Sequence, residues 1–179
     1  MSESTLEVPK ASEEPIKVSD LEPKFVLEIS EVQGGQLIKR CLQCNTCTAT
    51  CPIRRYSREY KPARIIRMAV LGLRKEVLSS DLIWLCASCH SCDERCPRDV
   101  KPAEIIMAIR EIAVREGYIS DAFLNQALNI LSFGRVHEIT DFENKTRFKM
   151  GLPPVPKANV REIRKVVPPR LRKLVKKRK

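Results

Sequence analysis

The sequence predicts an all-α fold, and three observations carry that expectation. Apolar residues recur at helical spacing after two Lys-Pro-Ala segments, those segments belong to an internal duplication, and the 34 residues between Cys51 and Cys86 read as mostly helical. In the duplication, Leu37-Ile38 ahead of Cys41 recurs as Leu82-Ile83 ahead of Cys86. Likewise Lys61-Pro62-Ala63-Arg64-Ile65-Ile66 recurs as Lys101-Pro102-Ala103-Glu104-Ile105-Ile106. Each copy reads as a short approach helix, a cysteine loop and a longer helix.

The elements follow in order. Residues 1–24 carry Glu3, Glu7, Glu13, Glu14, Asp20 and Glu22 among prolines and few large apolar groups, the composition of an extended or disordered arm. Residues 25–29 admit a strand, although their alternation is poor. Proline suits the first turn of each long helix, where its missing N–H has no partner to lose. In the first copy Ile65, Ile66, Ala69 and Leu73 then form a stripe opposite Arg67 and Arg74; in the second, Ile105, Ile106, Ile109, Ile112 and Ala113 lie opposite Glu104, Glu111 and Arg115. Ser79 or Ser80 caps the approach helix Asp81–Leu85, and Gly117 stops the second long helix. Ser120 is placed to cap a helix from Asp121 to about Phe133, with Phe123, Leu124, Ala127, Leu128 and Leu131 on one face. The expected organisation is an N-terminal arm over 1–24, a helical domain over 25–136, and a basic, proline-containing arm over 137–179.

The chain has a formal net charge of +11, and residues 157–179 supply nearly all of it, with eleven Lys or Arg against the single Glu162. Such density attracts phosphate without sequence preference. Yet the tail is broken by Pro168 and Pro169, follows Pro153, Pro154 and Pro156, and holds no aromatic residue for base stacking. No nucleic-acid partner is expected; an arm lying across an acidic neighbour, or a solvated end, fits better. No apolar run approaches the roughly 20 residues of a membrane span.

All eight cysteines fall in two copies of one run, Cys41-x2-Cys44-x2-Cys47-x3-Cys51-Pro52 and Cys86-x2-Cys89-x2-Cys92-x3-Cys96-Pro97. A disulfide scaffold would spread cysteines to close loops in a secreted chain, and no apolar leader is present. Zinc takes four ligands, usually as two separated pairs, which a triplet plus a displaced Cys-Pro does not match. Three thiolates at this spacing wrap one corner of a cubane iron–sulfur cluster, and the fourth serves the other cluster. Cys41, Cys44, Cys47 and Cys96 are thus expected to hold one 4Fe–4S cluster, and Cys86, Cys89, Cys92 and Cys51 the second. Each site then bridges both halves of the repeat, so metal loading and folding should be one event.

Around the cysteines, Thr46, Thr48, Ser88 and Ser91 are candidate donors to cluster sulfur, or else solvated loop residues. His90 lies inside a cluster loop at an expected surface position, and His137 has no motif around it. Trp84, the only tryptophan, is expected to pack over a cluster.

The doubled cysteine run with helices between its copies resembles the α-helical ferredoxin domain at the C-terminal end of succinate dehydrogenase and fumarate reductase iron–sulfur subunits. Within that superfamily the chain is most similar to the C subunits of heterodisulfide reductase from methanogenic archaea, over about residues 25–135 and through the segments 39–52 and 84–97. The resemblance implies two 4Fe–4S clusters on the eight cysteines named above and no catalytic residue. It also implies a relay that takes electrons from a flavin-containing A subunit and passes them to a B subunit. There the heterodisulfide of coenzyme M and coenzyme B is reduced, with hydrogenase or formate dehydrogenase joining a larger complex.

Other features agree. Catalytic relatives carry Cys-Cys-Gly domains, and this chain has no adjacent cysteine pair; it has no Gly-x-Gly-x-x-Gly run for a dinucleotide and no third cysteine set. A cytoplasmic, non-catalytic electron relay is the expectation. Its alternatives are the iron–sulfur subunit of a succinate, fumarate or glycerol-3-phosphate dehydrogenase-like enzyme, and a cluster-bearing nucleic-acid-binding module.

Overall fold

The structure, a computed structural model, describes residues 16–169 and Arg172. The arm expected over residues 1–24 lies outside the described residues as far as residue 15, and so do the last basic residues of the tail, 170, 171 and 173–179. The chain divides into two compact units, one running to Tyr118 and the other starting at Ile119. No strand occurs among the described residues.

The first unit begins with a 3-10 turn, Val18–Asp20, and helix α1, Phe25–Glu31. The strand expected over 25–29 is therefore a helix. Phe25 and Ile29 are both fully buried, and a four-residue interval stacks two side chains one turn apart on a single helix face. Burial of that face outweighs the β-preference of Val26 and Ile29.

Each half of the duplication then follows one plan. The first half runs through a 3-10 turn, Ile38–Arg40, then α2 (Thr46–Ala49), α3 (Pro52–Tyr56) and α4 (Pro62–Val70). A short helix, α5 (Arg74–Leu78), leads to the second half, with its 3-10 turn Asp81–Leu85, α6 (Ser91–Glu94) and α7 (Pro102–Glu116). The approach segments are 3-10 turns, the second capped by Ser80, whose hydroxyl accepts from the N–H of Leu82. Gly117, at φ 90, ends α7 as its sequence position indicates.

Helices α4 and α7 pack on each other, as do α2 and α6, and α1 lies against both long helices. Isoleucine is the commonest core residue: Ile29, Ile38, Ile66, Ile83, Ile105, Ile106, Ile109 and Ile112 are fully buried. Gly35 lets α1 and the first approach turn meet, because a Cβ there would stand 1.9 Å from the Ile29 carbonyl oxygen. Arg74 ties the outer edge together. Its guanidinium pairs with Glu22, Glu28 and Glu116 and lies 5.1 Å from the centroid of the Phe25 ring.

The second unit contains α8 (Asp121–Phe133), α9 (Asp141–Lys149) and α10 (Val160–Val166). Ser120 occupies the cap position of α8 without a side-chain hydrogen bond, whereas Thr140 and Glu143 form a full capping box on α9. Residues 137–169 of the arm expected over 137–179 carry two helices. The proline-containing stretch 152–159 has no regular structure, after which α10 returns to pack on α8. Leu124 and Ala127 are buried there, flanked by Ile119, Leu128 and Leu131. Among the described residues no helix is long and apolar enough to cross a membrane.

Candidate metal centre

Two non-glycine residues in the left-handed region wind each cysteine loop. Gln43 and Asn45 do so in the first, at φ 58 and 63, and Ser88 and His90 in the second, at φ 51 and 56. Each such residue costs on the order of 1 kcal/mol and persists only where its surroundings demand it. Successive turns of this kind form backbone N–H concavities that bind anions and recur at iron–sulfur sites.

The short helices carry caps for the long ones. Pro62 and Pro102 have no N–H to offer, so Ala63 and Ala103 present the first free donors of α4 and α7. Thr48 Oγ1 accepts from Ala63 N–H at 3.1 Å, and Asp93 Oδ1 accepts from Ala103 N–H at 2.8 Å. Thr48 follows Cys47 as Asp93 follows Cys92, so each triplet is fastened to the long helix of its own half.

Two recesses open among these parts. Cys86, Cys89 and Cys92 line one, together with Cys51, His90 and Tyr60. Cys41, Cys44 and Cys47 line the other, with Cys96, Gln43 and Val100. In both, the fourth cysteine comes from the opposite half of the repeat.

The thiols differ in setting. Cys44 and Cys89 are exposed, while Cys47 and Cys51 are buried. Burial, then the neighbouring Cys41, pushes the Cys47 thiol up to about 11. Burial followed by the Asp93 carboxylate pushes Cys92 up to about 12. The Thr46 hydroxyl, 3.3 Å from Cys44 Sγ, and then the Thr46 N–H hold that thiol below its ordinary value. For Cys89 the N–H and then the hydroxyl of Ser91 do the same. Further donors reach sulfur directly: Gln43 Nε2 donates to Cys41 Sγ and Val100 N–H to Cys96 Sγ, each at 3.3 Å.

This environment fits a cubane cluster in each recess. Four cysteines line each recess, no cation is among the groups that act on the buried Cys47 and Cys92 thiols, and the recess of Cys86 adds a buried hydroxyl without a full hydrogen bond. That hydroxyl is Tyr60 Oη, the one buried side-chain nitrogen or oxygen among the described residues without a well-formed hydrogen bond; its main electrostatic partner is the Cys86 sulfur. Burial first, then contact with Cys86, raises its pKa far above the ordinary phenol value.

Residues 37–100 match the family model described as a 4Fe–4S dicluster domain. The chain is 36% identical over 148 residues to the iron–sulfur C subunit of CoB–CoM heterodisulfide reductase from Methanopyrus kandleri, covering 79% of this chain and 77% of that one. It is 39% identical over 147 residues to the second iron–sulfur C subunit of CoB–CoM heterodisulfide reductase from Methanocaldococcus jannaschii, covering 77% of each chain. The chain belongs to the family of heterodisulfide reductase C subunits. Similarity extends to the C2 subunit of the H2/formate:CoB–CoM heterodisulfide, ferredoxin reductase of Methanococcus maripaludis, at 40% over 144 residues, with 76% of this chain and 77% of that one covered. As a member of the family of C subunits the chain carries two 4Fe–4S clusters and has an electron-transfer role in an oxidoreductase, not the catalytic one.

Several residues around the sites have roles that residue type and spacing did not assign. Thr48, a candidate sulfur donor, interacts with Cys47 through its hydroxyl and N–H and is also a helix cap. His90 is on the surface and its Nδ1 lies 2.7 Å from Asp93 Oδ2. Trp84 is half-buried against the core, with the Arg110 guanidinium 5.7 Å from its ring centroid. Arg110 also donates to the carbonyls of Ile83 and Cys86, at 2.8 and 2.7 Å, pinning the second loop to α7. Nothing in the cysteine motifs marked Tyr60 or Arg110; only their position opposite Val100 and Val70 in the repeat carried a trace. His137 is exposed and lies in the other unit.

Proposed function

We propose that this chain is the electron relay of a heterodisulfide reductase complex in the cytoplasm. It receives electrons from a flavin-containing A subunit, fed by hydrogenase or formate dehydrogenase, and passes them to a catalytic B subunit that reduces the coenzyme M–coenzyme B heterodisulfide. The observation that carries this reading is the pair of recesses lined by crossed cysteine sets inside one core. On this reading Cys41, Cys44, Cys47 and Cys96 hold one cluster, and Cys86, Cys89, Cys92 and Cys51 the other. Bound there, each cluster supplies one-electron exchange at a potential set by charge, hydrogen bonds to sulfur and exposure. The isoleucine core keeps water from the inner thiols, and the exposed Cys44 and Cys89 give each loop an edge that a partner can approach. A structural role would need one cluster; two in one small unit suit conduction.

The C-terminal arm, residues 137–179, serves docking on this reading. Its charge lies along an acidic surface of a partner and speeds encounter in a salt-sensitive way. The decisive experiment is a relay assay. Reduced anaerobically with dithionite, the chain should be reoxidised by the heterodisulfide only when the B subunit is present. Reoxidation without it, or none with it, refutes the assignment. Charge-neutral replacements of Lys157, Arg161, Arg164 and Lys165 should weaken pull-down of partner subunits at low salt and leave iron content unchanged. Loss of nucleic-acid retention in those variants, with assembly unaltered, would favour a binding module instead.

A further inference from the structure

The two halves share one plan, but the linings of their recesses do not. Tyr60 and Val100 occupy matching places, each immediately before the Lys-Pro-Ala start of a long helix, and each lines a recess. Helix α3, inserted between Cys51 and Tyr60 with no counterpart between Cys96 and Val100, accounts for the different approach of the chain. The Tyr60 side chain is 1% exposed and its hydroxyl has no hydrogen bond to a protein nitrogen or oxygen; the protein atom it interacts with is the Cys86 sulfur. Leaving a buried hydroxyl without a full hydrogen bond is destabilising. A phenylalanine would fill the same apolar space without that loss. What the hydroxyl faces is sulfur, that of Cys86, on the side where Cys51 also lines the recess.

We propose that Tyr60 donates a hydrogen bond to a sulfur of the cluster held by Cys51, Cys86, Cys89 and Cys92, and that this bond raises the reduction potential of that cluster alone. This rests on the crossed ligand assignment given above. An unionised phenol can donate one hydrogen bond. A donor to sulfur stabilises the state with one electron more, because that state places more negative charge on the sulfur. The matching place beside the other cluster is held by Val100, whose side chain has no hydrogen to donate.

Other charges at the second recess show why such a donor matters. Asp93 stands where the first half has neutral Thr48, with its side chain 8% exposed, and a buried carboxylate beside Cys92 opposes the arrival of an electron. Arg110, where the first-half helix has Val70, works in the opposite direction from behind the Cys86 carbonyl. Lys39 and Arg40, before the first loop, are exposed and act through screening water. Tyr60 and Arg110 are thus the low-dielectric counterweights to Asp93. Without them the second cluster would be the harder to reduce.

The test is Tyr60→Phe in the full, iron-loaded chain, with both midpoint potentials followed by redox titration under electron paramagnetic resonance. One potential should fall, on the order of 59 mV for a tenfold change in the one-electron equilibrium, and the other should stay. In wild type, one cluster signal should show an exchangeable proton coupling that disappears in deuterated water and is missing from the variant. Unchanged potentials with no such coupling overturn the hydrogen bond. Cys51→Ser and Cys44→Ser identify the affected cluster. If Tyr60→Phe moves the signal that Cys51→Ser alters, donor and ligand set both stand. A Tyr60→Phe shift in the signal altered by Cys44→Ser overturns the placement of the donor. If Cys51→Ser alters the same signal as Cys44→Ser, the crossed assignment fails independently of any effect of Tyr60.

Discussion

The two units of the chain bury themselves in different ways. The first, described from residue 16 to Tyr118, sets eight thiols, of which Cys47 and Cys51 are buried, against a continuous core in which Phe25, Ile66, Ile83 and Ile106 are fully buried. The second, from Ile119, buries Leu124 and Ala127 and leaves Phe142, Phe148, Met150 and Val166 at 76, 79, 70 and 84% exposure. The difference teaches where stability comes from. In the first unit, long-range packing and metal ligation act on the same residues, so each depends on the other. In the second, caps and local turns carry the helices, and the apolar surface left outside is of the kind that partners cover.

The largest effect should come from breaking the ligand sets. Loaded anaerobically, the chain should bind about eight iron atoms by the two-cubane ligand count. Cys51→Ser should damage the cluster of Cys86, Cys89 and Cys92, and Cys96→Ser that of Cys41, Cys44 and Cys47. Iron analysis and resonance spectra check this; damage to the neighbouring triplet in each case would refute the crossing. Removal of iron by a chelator should collapse most of the helical circular dichroism of the first unit.

Packing comes next. Ile106→Ala should destabilise the first unit by about 3 kcal/mol, since the close-packed core cannot refill the space. Leu124→Ala, in a smaller core, should cost roughly half of that by apolar area. Equal losses in denaturant melts would remove the contrast between the units. Arg74→Ala should cost about 2 kcal/mol for its charged hydrogen bonds, with iron content unchanged. The smallest effect is local. Thr140→Ala should cost about 1 kcal/mol and show as faster amide exchange in α9 alone.

Much of the fold was legible because its signals are local. Proline after Lys61 and Lys101 marked the starts of α4 and α7, and Gly117 marked the end of α7, since each acts through its own backbone. Residues 25–29 misled because their β-branched and aromatic content competes with the four-residue interval between Phe25 and Ile29. Only burial of that face decides between them. The helices α9 and α10 were hidden by the prolines at 153, 154 and 156, which break the region without preventing a helix on either side.

The sequence by itself determined the chemistry: eight cysteines in two matching runs, with ligand spacing written into neighbouring residues, and a duplication that places two sites in one unit. Tertiary structure alone decided what surrounds them. Thr48 caps a helix 15 residues away, Arg74 reaches Glu28 and Glu116 across 46 and 42 residues, and Tyr60 brings its hydroxyl to the recess of Cys86. Local signals report what a residue does to its own backbone. Which side chains meet across the chain depends on how the buried faces pack, and no residue carries that information alone.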